Sequence, residues 1–125
     1  MIKKYLGLDW GEKRIGLSIA DSENRVALPL KTINNFQELL EVVKEEGIDF
    51  LVIGQPKKMS GDEANQPLFL KFLDLLRKNN FSFFLIDERL SSVQADSLRV
   101  KEFKFDRDAL SAMIILQSYL DKTYD

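Results

Sequence analysis

The stretch Ile2-Lys3-Lys4-Tyr5-Leu6-Gly7-Leu8-Asp9-Trp10-Gly11-Glu12-Lys13-Arg14-Ile15-Gly16-Leu17-Ser18-Ile19-Ala20-Asp21 decides how the chain folds. Two apolar-rich runs, Ile2 to Asp9 and Arg14 to Asp21, flank Trp10-Gly11-Glu12-Lys13, a connection of the length and composition that joins antiparallel strands. A third run, Val26 to Ile33, extends the hairpin into a meander. Pro29 lies inside it. Because proline cannot donate a ladder hydrogen bond, this strand belongs at a sheet edge or carries a bulge.

Beyond the meander the apolar period changes. Asn34 or Asn35 can cap a helix whose Phe36, Leu39, Leu40 and Val43 recur at helical spacing and which closes near Gly47. Phe50-Leu51-Val52-Ile53-Gly54 is a short unbroken apolar run, the pattern of a strand covered on both faces in a parallel sheet. Gln55 to Asn65 is a polar loop. Leu68, Phe69, Phe72, Leu73 and Leu76 mark a second helix, with Pro67 in its first turn and Asn79-Asn80 at its close. Phe81 to Ile86 is another strand, followed by Asp87-Glu88-Arg89 and a helix capped by Ser91 or Ser92. The last helix runs from about Asp108 to Leu120, its stripe of Ala109, Ala112, Met113, Leu116 and Leu120 widened toward deep burial by Leu110, Ile114 and Ile115.

The order βββαβαβαα, without repeats, low complexity or a linker-like break, indicates one mixed α/β domain over residues 1–125. Right-handed crossovers make the first, fourth and fifth strands parallel, with the second antiparallel between the first and third. A five-stranded sheet with helices on both faces follows. Phe83, Phe84, Phe103 and Phe105 are read as core rather than as a stacking platform for bases.

Composition narrows the chemistry. With no Cys and no His among 125 residues, disulfides, thiolate nucleophiles, imidazole bases and Cys- or His-ligated zinc are excluded. No run approaches the ~18 to 20 apolar residues of a membrane span, and Met1 to Tyr5 lacks a signal peptide's apolar stretch, so a cytoplasmic protein without a membrane partner is expected. A formal net charge of −2 gives no global attraction to nucleic acid, so any polyanion contact must come from a local basic patch.

Parallel strands bring distant residues to one edge. Their carboxyl ends are Asp9, the Gly54-Gln55-Pro56 turn and Asp87-Glu88, and ligands of open α/β sheets bind outside such ends. Asp106 and Asp108 open the last helix, where the dipole favours negative charge. Clustered carboxylates raise one another's proton affinity, so a cluster ionised at neutral pH needs a cation among them. An all-oxygen site suits Mg²⁺ or Mn²⁺. With two such ions about 3.5 to 4 Å apart, the site can activate water and stabilise the leaving oxygen of a phosphodiester. Lys13, Arg14, Lys57 and Lys58 lie in loops near the same edge, where they can meet phosphates. Each residue also has an ordinary role open to it. Asp9 can serve as a turn former, Asp106 or Asp108 as a helix cap, Glu88 as a partner of Arg89, and the four cations as solvated surface.

Four segments carry a resemblance that runs almost end to end. They are Leu6-Gly7-Leu8-Asp9-Trp10-Gly11 with Lys13-Arg14-Ile15-Gly16, then Val52-Ile53-Gly54-Gln55-Pro56 with Met59-Ser60-Gly61, then Asp87-Glu88-Arg89-Leu90-Ser91-Ser92, and Asp108-Ala109 through Ile115-Leu116-Gln117-Ser118-Tyr119-Leu120. In this order and spacing the chain resembles the YqgF family, also called RuvX-type Holliday junction resolvases. The resemblance implies a ribonuclease H-like fold and an acidic metal site. By position, Asp9 matches the family's first-strand aspartate, Glu88 the glutamate of its Asp-Glu-Arg motif, and Asp108 the aspartate opening its last helix. These are the implied metal ligands and catalytic carboxylates. The family is described as a nuclease that matures the 5′ end of 16S ribosomal RNA, its older label coming from similarity to junction resolvases.

Two departures from the family pattern stand out. The stretch between Ser92 and Asp108 is shorter and less basic than usual, and if the missing residues grip substrate, this chain binds nucleic acid weakly or through another surface. Gln55 replaces a usually apolar residue, and its amide is placed to face the site.

The implied function is an Mg²⁺- or Mn²⁺-dependent endonuclease, with Lys13, Arg14 and Arg89 positioning phosphates or orienting carboxylates. Its implied partner is nucleic acid, precursor ribosomal RNA ahead of branched DNA. A monomer suffices for trimming one strand, whereas cutting two strands calls for a homodimer. The competing expectation is a non-catalytic RNA-binding or ribosome-assembly module. A third, Gly7 to Gly11 as the phosphate loop of an actin-like ATPase, needs two lobes and more chain than 125 residues.

Overall fold

The computed structural model describes residues 1–55, 66–87 and 107–123. Strands β1 (Lys4–Trp10) and β2 (Ile15–Asp21) form the hairpin, paired from Lys4 opposite Asp21 to Trp10 opposite Ile15. The connection is therefore Gly11 to Arg14 rather than Trp10 to Lys13, and the residue across from Asp9 is Gly16. At its far end Asp21 turns the chain. Its Oδ1 accepts the backbone N–H groups of Asn24 (2.7 Å) and Glu23 (3.0 Å), and these bonds, Asn24 first, hold the carboxyl below its ordinary range.

Strand β3 (Leu28–Ile33) starts two residues later than expected and pairs antiparallel with β2 at the sheet edge. Lys31 faces Leu17 and Pro29 faces Ser18, so Leu30 is the extra residue of a bulge. Edge and bulge both accommodate the donor that Pro29 lacks. Strands β4 (Phe50–Gln55) and β5 (Phe83–Asp87) add in parallel on the other side of β1, giving the order β3-β2-β1-β4-β5. Crossovers through helices α1 (Phe36–Glu46) and α2 (Gln66–Lys78) make β1, β4 and β5 parallel, as the sequence indicated. Helix α3 (Arg107–Thr123) closes the described chain.

Helix α1 is fixed at both ends. The Asn35 side chain accepts the Glu38 N–H at 2.9 Å while Glu38 Oε1 accepts the Asn34 N–H at 2.9 Å, a reciprocal cap close to a capping box. Gly47 closes the helix in the left-handed conformation. Its buried residues are Leu39 and Val42, with Phe36 and Val43 packed against the core, so Val42 takes the place the periodicity gave to Leu40.

Strand alternation divides the interior into two layers. Leu6, Leu8, Leu17, Leu51 and Ile53 face α1 and α2, where Leu39, Phe69, Phe72, Leu73 and Leu76 complete one core. Ala20 and Val52 face α3 and meet Ile115, Leu116 and Leu120. Helices thus cover both faces, as expected. Each fully buried large aliphatic side chain contributes about 1.5 to 3 kcal/mol relative to exposure. Phe84 departs from the sequence expectation: β5 is an edge strand, so Phe84 is 40% exposed and stacks on Tyr119 with ring centroids 5.2 Å apart. Phe103, Phe105 and the helix expected from Ser91 or Ser92 lie outside the described residues.

The seat of α3 depends on the absence of a side chain at Gly7. A Cβ there would collide with Ser18 Oγ and lie 2.7 Å from Leu116 Cβ and 2.9 Å from the Ala112 carbonyl oxygen. Ser18, fully buried, donates its hydroxyl to that carbonyl at 2.7 Å. At the other end of the helix, Gln117 Oε1 accepts the Ala27 N–H (2.9 Å), Gln117 Nε2 donates to the Arg25 carbonyl (3.2 Å), and the Arg25 guanidinium donates to the Leu120 carbonyl. Hydrogen bonds at two levels therefore lock α3 to β2 and to the connection between β2 and β3.

This packing makes a quantitative expectation. Gly7→Ala costs about 1 to 3 kcal/mol by overpacking, and Ser18→Ala costs about 1 kcal/mol through its hydrogen bond. In the double variant the loss measured by urea unfolding is smaller than the sum, because removing Ser18 Oγ clears the nearest obstacle.

Candidate functional site

Asp9 is the penultimate residue of β1, half-buried and within the strand rather than in the turn. It shares a face with Tyr5 and Gly7, the face that α3 covers. Its neighbours across the ladder are Gly16 on β2 and Gly54 on β4, so the sheet on either side of this carboxylate carries no side chain.

The first turn of α3 uses that clearance. A Cβ at Gly16 would collide with the main-chain carbonyl of Asp108 and lie 2.8 Å from the Asp108 Cβ. With hydrogen in its place, the helix start comes down beside Asp9. Asp108 sits within the first turn, which begins at Arg107, so it is not the helix cap; negative charge there is favoured by the helix dipole.

Asp9 and Asp108 line one cleft of about 400 Å³, together with Trp10 at the end of β1 and Gly11, Glu12, Lys13 and Arg14 of the hairpin connection. Two residues 99 positions apart in sequence thus line the same cleft. Arg14 Nε stands 3.0 Å from Asp108 Oδ2; the Arg14 side chain is 67% exposed and that of Asp108 28%. Lys13 is exposed at the rim. Three carboxylates, Asp9, Glu12 and Asp108, and two cations, Lys13 and Arg14, therefore line the cleft.

The donors suit a hard cation. Both inward aspartates offer oxygen only, and Mg²⁺ is commonly held by one or two carboxylates, with water and phosphate oxygens completing its shell. Asp9 and Asp108, presented from a strand and a helix to one cleft, meet that requirement. Among the described residues no group of three such side chains gathers closely enough to hold a metal. Glu88, Arg89, Lys57, Lys58 and Asp106 lie outside the described residues. Asp87 ends β5, its backbone in register with Gln55. Gln55 departs from expectation: it is exposed and alternates with Leu51 and Ile53, which puts it on the sheet face opposite Asp9.

Sequence reasoning had not singled out Glu12 as a lining residue or Gly16 as the gate for Asp108. The signal for Gly16 was the hairpin register, since only the correct connection pairs it with Asp9.

Comparison with known proteins identifies the family and the fold. Residues 3–122 match the family model described as "RuvX: Holliday junction resolvase". A protein of Fusobacterium nucleatum named "Putative pre-16S rRNA nuclease" is 34% identical, covering 96% of this chain and 98% of its own. One of the same name from Chloroflexus aggregans is 39% identical over 93% and 92%. Among solved structures, T. thermophilus RuvC in complex with Holliday junction substrate aligns with a TM-score of 0.65 at 14% identity, over 98% of this chain and 95% of that one. The Fowlpox virus resolvase, in complex with substrate Holliday junction DNA, aligns with a TM-score of 0.63 at 12% identity over the full length of both chains. The fold shared with these resolvases is the ribonuclease H-like α/β fold that the motifs implied.

Gly16→Ala tests the role given to that glycine. The added methyl must push the α3 start away from β2, at a cost of about 1 to 3 kcal/mol in urea unfolding. The spacing of the Asp9 and Asp108 carboxylates grows with it, which a crystal structure of the variant measures directly.

Proposed function

The chain belongs to the RuvX family, and from that premise we propose that it is a divalent-metal-dependent endonuclease, a hydrolase of phosphodiester bonds in structured nucleic acid. Its preferred substrate in this proposal is the 5′ end of precursor 16S ribosomal RNA. The observation that carries the proposal is the convergence of Asp9 and Asp108 in one cleft beside Lys13 and Arg14. Relatives that are 34% and 39% identical over nearly the whole chain are named for the RNA substrate. The junction-bound structures, at 14% and 12% identity, support the fold alone. RNA therefore ranks ahead of four-way DNA, which stays the alternative.

Within this proposal Asp9, Glu88 and Asp108 are the catalytic carboxylates and the ligands of Mg²⁺ or Mn²⁺. A bound divalent ion supplies Lewis acidity toward a phosphoryl oxygen and lowers the pKa of water. The chain's own residues do the rest. Asp9 and Asp108 present oxygens from two rigid elements, so little ordering is needed on binding. Lys13 and Arg14 at the rim neutralise substrate phosphates and set the strand across the cleft. Lys57, Lys58 and Arg89 extend that contact. No helix among the described residues is long and apolar enough to cross a membrane. We place the activity in the cytoplasm, on a single domain of residues 1–125, as a monomer when one strand is trimmed and as a homodimer when two are cut.

The experiment is Mn²⁺-dependent cleavage of a panel holding precursor 16S RNA ends, generic single-stranded RNA and a four-way DNA junction. Wild type is expected to cut the precursor RNA, and Asp9→Asn and Asp108→Asn to lose that cleavage while remaining folded. Junction-only cleavage would favour the alternative substrate. Loss in Asp106→Asn with full activity in Asp108→Asn would move the ligand by two residues. No cleavage by folded, metal-loaded protein would leave a non-catalytic RNA-binding module.

Binding has its own expectation. Replacing Lys13 and Arg14 by Ala reduces the log–log salt slope of RNA affinity by up to about 1.4, roughly 0.7 for each single-strand phosphate that is no longer neutralised. An unchanged slope means that the protein grips phosphates elsewhere.

A further inference from the structure

Among the described residues, a cation of the chain itself, Arg14, pairs with one carboxylate of the cleft. Arg14 directly precedes β2 and lies two residues from Gly16, so it stands on the side of the hairpin where α3 touches down. Its Nε is 3.0 Å from Asp108 Oδ2. The two partners differ in exposure, at 67% for the Arg14 side chain and 28% for Asp108. The carboxylate is held within the cleft, while the guanidinium reaches it from solvent. Ion pairs with one such exposed partner are weak, and a divalent ion brings twice the charge to the same oxygen. The guanidinium fork fits a phosphate as well as it fits a carboxylate.

We propose that Arg14 is an exchangeable counter-cation: it holds Asp108 until a divalent ion takes that carboxylate, and then turns to a substrate phosphate. The proposal rests on the carboxylate metal site of the preceding section. Its consequence is linkage. Ion binding frees the guanidinium for the polyanion, and polyanion binding draws the guanidinium off Asp108, so each ligand tightens the other by the same factor. Arg14 is a positioning residue in this scheme, acting on the site through Asp108.

The test uses the full chain and two readouts other than turnover. Free Mn²⁺ is followed by electron paramagnetic resonance in titrations of wild type, Arg14→Gln and Arg14→Lys without nucleic acid. Arg14→Gln is expected to bind Mn²⁺ about two- to fivefold more tightly than wild type, the equivalent of losing one weak ion pair. Arg14→Lys, which keeps the charge, is expected to stay near wild type. Affinity for a short single-stranded RNA is then read by fluorescence anisotropy with and without Ca²⁺. In wild type Ca²⁺ is expected to tighten RNA binding by about fivefold or more, and in Arg14→Gln by a clearly smaller factor. Equal or weaker Mn²⁺ binding by Arg14→Gln, or an undiminished Ca²⁺ effect on its RNA affinity, overturns the exchange while leaving the metal site standing. Absence of Mn²⁺ binding in wild type overturns the metal site itself, and the exchange with it.

Discussion

The contact between α3 and the β1–β2 hairpin requires two residues to have no side chain. Gly7 gives room for Leu116 and the Ala112 carbonyl, and Gly16 gives room for the main chain of Asp108. Beside Gly7, its register partner Ser18 bonds that same Ala112 carbonyl from within the sheet. The rest of the architecture follows from that approach. The second hydrophobic layer can form only with α3 this close, and Asp108 reaches the Asp9 cleft only because the helix starts over a glycine. Packing and site geometry are therefore consequences of one contact.

Much of this was legible in the sequence because it depends on local rules. Pro29 announced an edge strand or a bulge, and both are present. The Phe50 to Gly54 run announced a strand buried on both faces, and β4 lies between β1 and β5 with Leu51, Val52 and Ile53 fully buried. Crossover connections implied that the first, fourth and fifth strands are parallel with the second between the first and third, and this is the arrangement present, with Asp9 at the carboxyl end of β1.

What escaped depends on tertiary placement. The hairpin connection was read one residue early, which hid the Asp9 and Gly16 pairing. The choice between Leu40 and Val42 on α1 turns on a rotation of the helix about its axis, which periodicity does not fix to within one residue. Phe84 looked like core because its neighbours are apolar, but among the described residues β5 has a partner strand on one side alone. Gln55 looked site-facing from its motif, yet alternation turns it away. The motif residues Asp9 and Asp108 were identifiable one by one; what the sequence could not display was the clearance that lets them meet.

The central claim is that Asp9 and Asp108 form one cation-binding centre on the α3 side of the sheet end. Anomalous diffraction from a crystal soaked in Mn²⁺ tests it most directly. The account predicts an anomalous peak in direct coordination with both carboxylates, in the cleft bounded by the hairpin connection. A well-occupied peak elsewhere, with Asp9 and Asp108 free of metal, would contradict it.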